Sequence, residues 1–290
     1  MRVHTIKGGA DLKLHVRDFG PEDAPPIVLI HGWSQHHISW VKQFESPLAE
    51  EFRIVAMDLR GHGQSEAPPD AESYTTGSLW ADDIASIISA LQLSAPVLVG
   101  SSYGGFIIGD YLRRYGDNAI GGVNLAAGAI GIGPSWIGPL IGENFVKYAV
   151  PASSDDQPTA LLALQGLLHC CLAKPLPVEE LELGMGWMML TPPFVRGHLI
   201  HRDDDFRPEY AALRKPLLVS YGTADTIVLP AMAEAIRQAC PAARLSEYAG
   251  TGHFPFLEEP ARFNSELAEF ARSAAGAEPL SEMLNPMPAA

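Results

Sequence analysis

Short apolar runs alternate with stretches of helical periodicity along most of this chain, the pattern of a mostly parallel central sheet with helices packed on both faces. The first two segments, 2–6 and 12–19, alternate with period two around Gly8-Gly9, which predicts an antiparallel pair joined by a tight turn. From Pro26 onward the expected strands, 27–30, 54–57, 97–99, 120–125 and 217–219, are continuous apolar runs, as strands covered on both faces should be. A shorter strand is expected at 245–248. Ile84, Ile87, Ile88 and Leu91 fall at i, i+3, i+4 and i+7, predicting a helix with Asp82 and Asp83 in its first turn, where the helix dipole favours acid. Pro260 opens another, with Phe263, Leu267 and Phe270 on one face.

The alternation lapses between 129 and 213. Helical pieces at 161–172 and 185–190 occur there without a clean strand, so this stretch reads as an inserted helical cap. The α/β core is then 1–128 and 214–275, followed by a tail, 276–290, with no basic residue and little pattern. Segment 119–142 lacks Asp, Glu, Lys and Arg and is long enough to span a bilayer, but seven glycines and two prolines interrupt it. It reads as a buried strand running into a loop.

Composition narrows the classes of partner. Among 290 residues, 34 acidic against 20 basic side chains give a net charge of −14, which opposes binding to a phosphate backbone. No nucleic-acid or membrane partner is expected, whereas 47% hydrophobic and 19% charged residues describe a chain with a well-supplied core. Cys170, Cys171 and Cys240 form no disulfide framework, and the opening MRVHTIKGGA lacks the apolar run of an export signal, so a cytoplasmic protein is expected.

The strongest chemical signal is Gly100-Ser101-Ser102-Tyr103-Gly104-Gly105, a G-x-S-x-G set directly after a predicted strand and before a predicted helix. Such a corner is strained, and the glycines leave room for Ser102 to stand above the sheet edge. A serine hydroxyl is a poor nucleophile without a base. Of the ten histidines, His253 alone sits in a glycine-flanked loop at the carboxyl end of a late strand, where sheets of this class place ligands. His4 and His15 fall on outer strands, His62 in a turn, His169, His198 and His201 in the cap, and His36 and His37 in a loop near the pocket mouth. The base needs a carboxylate to hold its tautomer, and Asp225, just past the strand at 217–219, emerges at the same edge. An oxyanion hole needs two backbone N–H groups, each worth about 2.7–4 kcal/mol. Tyr103 supplies one and the loop His31-Gly32-Trp33-Ser34-Gln35 the other, at Trp33.

These residues resemble the landmarks of the α/β-hydrolase-fold superfamily, serine-nucleophile branch. His31-Gly32-Trp33, Asp58-Leu59-Arg60-Gly61-His62-Gly63-Gln64-Ser65, the Gly100 to Gly105 motif, Asp225 and His253 follow the family's order and span nearly the whole chain. The His-Gly-Trp start is similar to that of the cofactor-free haloperoxidase-like esterases. The resemblance implies a catalytic Ser102, Asp225 and His253, a turn-shaping role for Asp58, and no metal or organic cofactor. Epoxide hydrolases and haloalkane dehalogenases of this fold carry Asp in place of Ser102. Carbon-carbon hydrolases typically show Asn before the serine and Trp after the histidine, where this chain has Ser101 and Phe254. Cofactor-free dioxygenases place their acid after the sixth strand, where this chain reads Ala126-Ala127-Gly128.

The implied substrate is a small molecule, an uncharged and largely apolar ester or lactone, because no arginine-rich or carboxylate-rich constellation stands out. Candidate pocket residues are Trp136, Phe145, Trp187, Met188 and Phe194 of the cap, with Ile227 and Phe254 beside the acid and base. The cap also holds Met185 and Met189. The run His198 to Asp205 contains metal-ligating residue types, but consecutive acids with Arg202 and Arg207 nearby read as a solvated face. Other activities compatible with these residues are perhydrolysis, carbon-carbon bond hydrolysis, and ligand reception with a slow triad. The sequence leaves the oligomeric state open.

Overall fold

In the computed structural model, which describes residues 1–276, eight strands form one sheet. They are β1 (Arg2–Lys7), β2 (Lys13–Phe19), β3 (Pro26–Ile30), β4 (Arg53–Met57), β5 (Val97–Ser101), β6 (Gly122–Ala126), β7 (Leu217–Gly222) and β8 (Arg244–Tyr248). Their order is β1-β2-β4-β3-β5-β6-β7-β8, and only β2 runs against the rest. The inner strands are buried along nearly their whole length, which is why their sequences lack alternation. Ile30 pairs with Met57 on one side and Gly100 on the other, and Ala126 pairs with Ser220. The strands therefore end level, and the segments that follow them meet along one edge.

Helix α1 (Gly77–Ala90) packs on α2 (Tyr103–Tyr115), which lies against β5. The start of α1 corrects the sequence reading. Asp82 and Asp83 lie in its second turn, away from the positive end of the dipole. Asp83 instead forms a buried pair with Arg60, 2.7 Å from its Nε, and accepts a bond from the Gly9 N–H at 2.9 Å.

Between β6 and β7 the chain forms α3 (Glu143–Ala152), α4 (Gln157–Cys171), α5 (Val178–Met189) and α6 (Pro193–Leu199). The entry to α4 is set locally, because the Asp156 side chain caps it by accepting from the Thr159 N–H at 3.1 Å. The segment is not strand-free: Gly131–Ile132 and Asp204–Asp205 form a two-residue antiparallel ladder. Nor is the 198–205 run wholly solvated, since Arg202 is buried and bonds Asp110 as well as Asp204. The last helix, α7 (Pro260–Ala274), packs on β6, where a Cβ at Gly122 would stand 3.0 Å from the Phe270 ring. Apart from Gly276, the tail expected at 276–290 lies outside the described residues. Among the described residues no helix is long and apolar enough to cross a membrane.

Candidate active site

β5 ends at Ser101 and α2 begins at Tyr103, leaving Ser102 at the corner with φ 51° and ψ −116°. A non-glycine residue held there costs about 1–3 kcal/mol, and the surroundings fix it in place. The Ser102 N–H donates to Ala126 O at 3.3 Å, while Ser102 O accepts from the Gly105 and Ala129 N–H groups, both at 3.0 Å. The motif glycines have a steric origin. A Cβ at Gly100 would come within 2.7 Å of Gly104 C and Gly105 N, and one at Gly104 within 2.4 Å of Ile30 O.

Asp225, just past β7, and His253, in the loop after β8, are both buried and joined at 2.8 Å between Oδ2 and Nδ1. A carboxylate only accepts, so the Nδ1 proton donates to it and the Nε2 lone pair is left facing away from the acid. The other carboxylate oxygen accepts from the Ile227 and Val228 N–H groups at 2.8 and 3.1 Å, which locks its orientation. The histidine loop is tied twice to the end of α4. His253 N–H donates to Cys171 O at 2.7 Å, and Glu258 accepts from Gly252 N–H at 2.9 Å and from the Ala173 and Lys174 N–H groups at 3.2 Å. Ser102 makes no side-chain hydrogen bond among the described residues. Such a serine-imidazole contact commonly tightens only when substrate is bound.

Loop 31–35 lies against the serine: a Cβ at Gly32 would stand 3.0 Å from Ser102 Cβ. Two buried histidines hold this loop. His31 bonds Gly32 O through Nδ1 at 2.9 Å and accepts from Leu59 N–H through Nε2 at 3.0 Å. His62 bonds Arg60 O through Nδ1 at 3.0 Å and accepts from Ser34 N–H through Nε2 at 3.3 Å. Burial pushes His62 down to about 4 and His31 well below its ordinary range, so both rings are neutral. The backbone N–H groups of Trp33 and Tyr103 have no partner among the described residues.

His36 and His37, expected near a pocket mouth, are instead buried around Asp58. His37 donates to Asp58 Oδ1 from both its backbone N–H, at 2.9 Å, and its Nδ1, at 2.8 Å. Burial alone would raise the Asp58 carboxyl, but the His37 hydrogen bond and the neighbouring histidines hold it below the usual carboxylate range. His15, His37 and Asp58 have ligand atoms within 4.8 Å of one another. Hydrogen bonds already engage them, since Arg17 Nε donates to His15 Nε2 at 3.1 Å, so the group is a staple between β2, the 36–40 turn and the end of β4.

A narrow, mostly apolar cavity, partly open to solvent, joins these pieces. Ser102, Trp33 and Tyr103 line it together with Ile227 and Val228, the two residues whose N–H groups hold Asp225. Of the pocket residues expected from sequence, Phe145 and Ile227 reach its wall. Trp136, Trp187, Met188, Phe194 and Phe254 do not. Trp136 packs onto Gly131 and Met188 onto loop 31–35, where Ser34 Oγ donates to its carbonyl at 3.0 Å. Trp187 is buried, Phe194 is partly exposed beside Tyr74 and His198, and Phe254 faces Phe256. Phe106, Ala129, Gly131, Ile132, Ile141 and Val228, which the sequence reading missed as pocket residues, complete the wall. Phe106 was within reach of it, one helical turn beyond Ser102.

This site sits on a fold shared with known proteins. The chain matches the alpha/beta hydrolase family over residues 27–266 and belongs to it. An esterase, RhEst1 from Rhodococcus sp. ECU1013, superposes with a TM-score of 0.89 at 31% identity, over 94% of this chain and 100% of that one. The AB hydrolase superfamily protein YisY of Bacillus subtilis (strain 168) is 28% identical over 274 residues, covering 93% of this chain and 99% of the relative. The non-heme chloroperoxidase of Streptomyces lividans is 24% identical over 284 residues, covering 93% and 99%.

Proposed function

We propose that the chain is a serine hydrolase acting on a carboxylic ester or lactone that is uncharged and largely apolar where it meets the cavity. The observation that carries this reading is the buried Asp225 and His253 pair at 2.8 Å, at the same sheet edge as a serine held in a strained corner. Ser102 Oγ attacks the carbonyl carbon while His253 Nε2 takes its proton and Asp225 stabilises the imidazolium. The Trp33 and Tyr103 N–H groups receive the oxyanion. Collapse expels the alcohol, protonated by His253, and leaves an acyl group on Ser102. Water, deprotonated by His253, then releases the acid.

The esterase RhEst1 supports ester cleavage, and the Phe106, Phe145, Ile132 and Ile141 wall supports an apolar acyl group. A second reading, peracid formation at the same serine, is favoured by the likeness to a non-heme chloroperoxidase. Here Ser102 is acylated by an ester with loss of its alcohol, or by a carboxylic acid with loss of water, and hydrogen peroxide replaces water in the second half of the cycle. Ser102→Ala should lower turnover of 4-nitrophenyl butyrate on the order of 10⁶-fold with an unchanged melting temperature. Undiminished turnover in that variant ends the assignment. Peracid formed from acetate and peroxide by the wild type would select the second reading.

A further inference from the structure

The loops around Ser102 share one kind of anchor. Trp33 Nε1 donates to Arg196 O at 3.1 Å and Ser34 Oγ to Met188 O at 3.0 Å. Tyr103 Oη donates to Leu199 O at 3.3 Å. Thr226 Oγ1, next to the acid, donates to Cys170 O at 3.0 Å, and the His253 N–H donates to Cys171 O at 2.7 Å. Every one of these acceptors lies on the segment between β6 and β7, among the last four residues of α4, α5 or α6. The last four carbonyls of a helix find no amide within it, so they stand ready for donors from elsewhere.

Two of the donors sit on side chains that take no other part in the site. Neither Ser34 nor Thr226 is among the described residues that line the cavity. Ser34 follows Trp33 and has φ 53°, a left-handed conformation that a residue with a side chain keeps only where its surroundings impose it. Its backbone N–H is held by His62 and its hydroxyl by α5, so core and cap grip the same residue. Thr226 stands between Asp225 and the Ile227 and Val228 N–H groups that orient the carboxylate. Its hydroxyl accepts from Asn144 Nδ2 of α3 at 3.1 Å while donating to the end of α4, which joins two cap helices at the acid loop. The next carbonyl of α4, that of Cys171, takes the His253 N–H, so adjacent carbonyls of one helix fix the spacing of the acid and base segments.

We propose that the ends of the cap helices are the frame that sets the catalytic groups, with Ser34 as the positioning residue of the oxyanion donors and Thr226 as that of the acid and base. As an account of how that site is aligned, it rests on the function proposed above. The cap then does more than enclose substrate. α5 and α6 hold the loop that presents the Trp33 N–H, and α4 holds Asp225 against His253. Loss of one hydroxyl should misplace one half of the machinery by a fraction of an ångström and leave the other half and the cavity wall unchanged.

Ser34→Ala and Thr226→Val, each of which removes a single hydroxyl, test this. With 4-nitrophenyl butyrate, well below the melting temperature of each protein, both should lower kcat about tenfold and keep KM within about twofold, since ground-state contacts are untouched. Butylboronic acid adds to Ser102 Oγ to form a tetrahedral anion with an oxygen at the oxyanion hole. Its inhibition constant should rise about tenfold in Ser34→Ala. The low-field resonance of the Nδ1 proton between His253 and Asp225, assigned by its loss in His253→Gln, should stay in place in Ser34→Ala and shift or broaden in Thr226→Val.

A Ser34→Ala protein that melts lower but keeps wild-type kcat and boronate affinity would make that hydroxyl structural only and overturn the proposal. A Thr226→Val protein with wild-type kcat and an unmoved resonance would overturn it too, as would equal changes of every readout in both variants, the mark of a general loosening. Ser34 is buried, and should its variant fail to fold, the exposed Thr226 decides the question alone. If the wild type neither hydrolyses the ester nor binds the boronate, the serine-hydrolase reading fails, while the resonance in Thr226→Val still decides whether the cap sets Asp225 against His253.

Discussion

Substitution of one glycine should separate the geometry of the serine corner from its chemistry. In Gly104→Ala the new Cβ would stand 2.4 Å from Ile30 O, 3.0 Å from His31 O and 3.1 Å from Ile30 C. Ordinary contact begins near 3.4 Å, so either the corner or β3 must yield by about 1 Å. β3 resists, because Ile30 is paired on both sides, with Met57 and with Gly100. Most of the displacement then falls on Ser102 and the Tyr103 N–H. Overpacking of this kind costs about 1–3 kcal/mol, and a misplacement near 1 Å costs on the order of 10²-fold in rate. The expected result is a melting temperature lower by a few degrees and a kcat for 4-nitrophenyl butyrate lower by about two orders of magnitude. Gly186→Ala, on α5 with nothing within 4 Å of the new Cβ, should instead gain up to about 1 kcal/mol in helix propensity. Wild-type kcat in Gly104→Ala would refute the argument that close approach to β3 sets the nucleophile.

Two further outcomes follow from the charges. Asp225→Asn should keep the fold but lower kcat on the order of 10³- to 10⁴-fold with little change in KM, because the amide can no longer stabilise the imidazolium or enforce the tautomer; a steady-state kcat within tenfold of wild type would contradict this. For Asp18, burial alone would raise the carboxyl, yet hydrogen bonds from Arg2 and Arg53 hold it at about 2, below its ordinary 3.8. Its contribution, up to about 2 kcal/mol, is present above pH 3.8 and lost as pH falls toward 2. Urea midpoints should therefore drop less over that interval in Asp18→Asn than in wild type, and equal drops would count against the ion pair.

The strand pattern and the serine corner were legible because each is encoded locally. An apolar run flanked by Gly-x-Ser-x-Gly requires no distant information, and Asp225 and His253 could be placed because both follow strands of one parallel sheet. What spacing could not supply was the docking of one element on another. Trp187 and Met188 share a helix with apolar periodicity, but which side of that helix meets the cavity depends on how α5 packs on the turn at 37–40. Asp83 looked like a dipole residue until Arg60, 23 positions earlier in the chain, came within 2.7 Å. Nothing in PFVRGHL marks Arg196 as buried, and the three-dimensional structure shows it enclosed without a counter-charge.

The loop carrying the Trp33 N–H depends on histidines that do no proton transfer, and this makes the site sensitive to acid apart from His253. His62 accepts from Ser34 N–H at Nε2 while donating to Arg60 O from Nδ1, so its neutral tautomer is fixed by both partners. Protonation would set a second N–H against that of Ser34 and release the loop beside Trp33. The folded pKa of about 4 lies below the ordinary 6.5, so between these values the unfolded chain holds the extra proton. Stability from this ring is complete above pH 6.5 and is lost as pH falls through 4, by up to about 3 kcal/mol. His62→Gln, neutral at every pH and able to accept from Ser34, should therefore lose less stability than wild type on acidification from pH 7 to 4.5. Thermal unfolding at the two pH values checks this. Equal losses in the two proteins would mean that the ring is not the acid-sensitive anchor of loop 31–35.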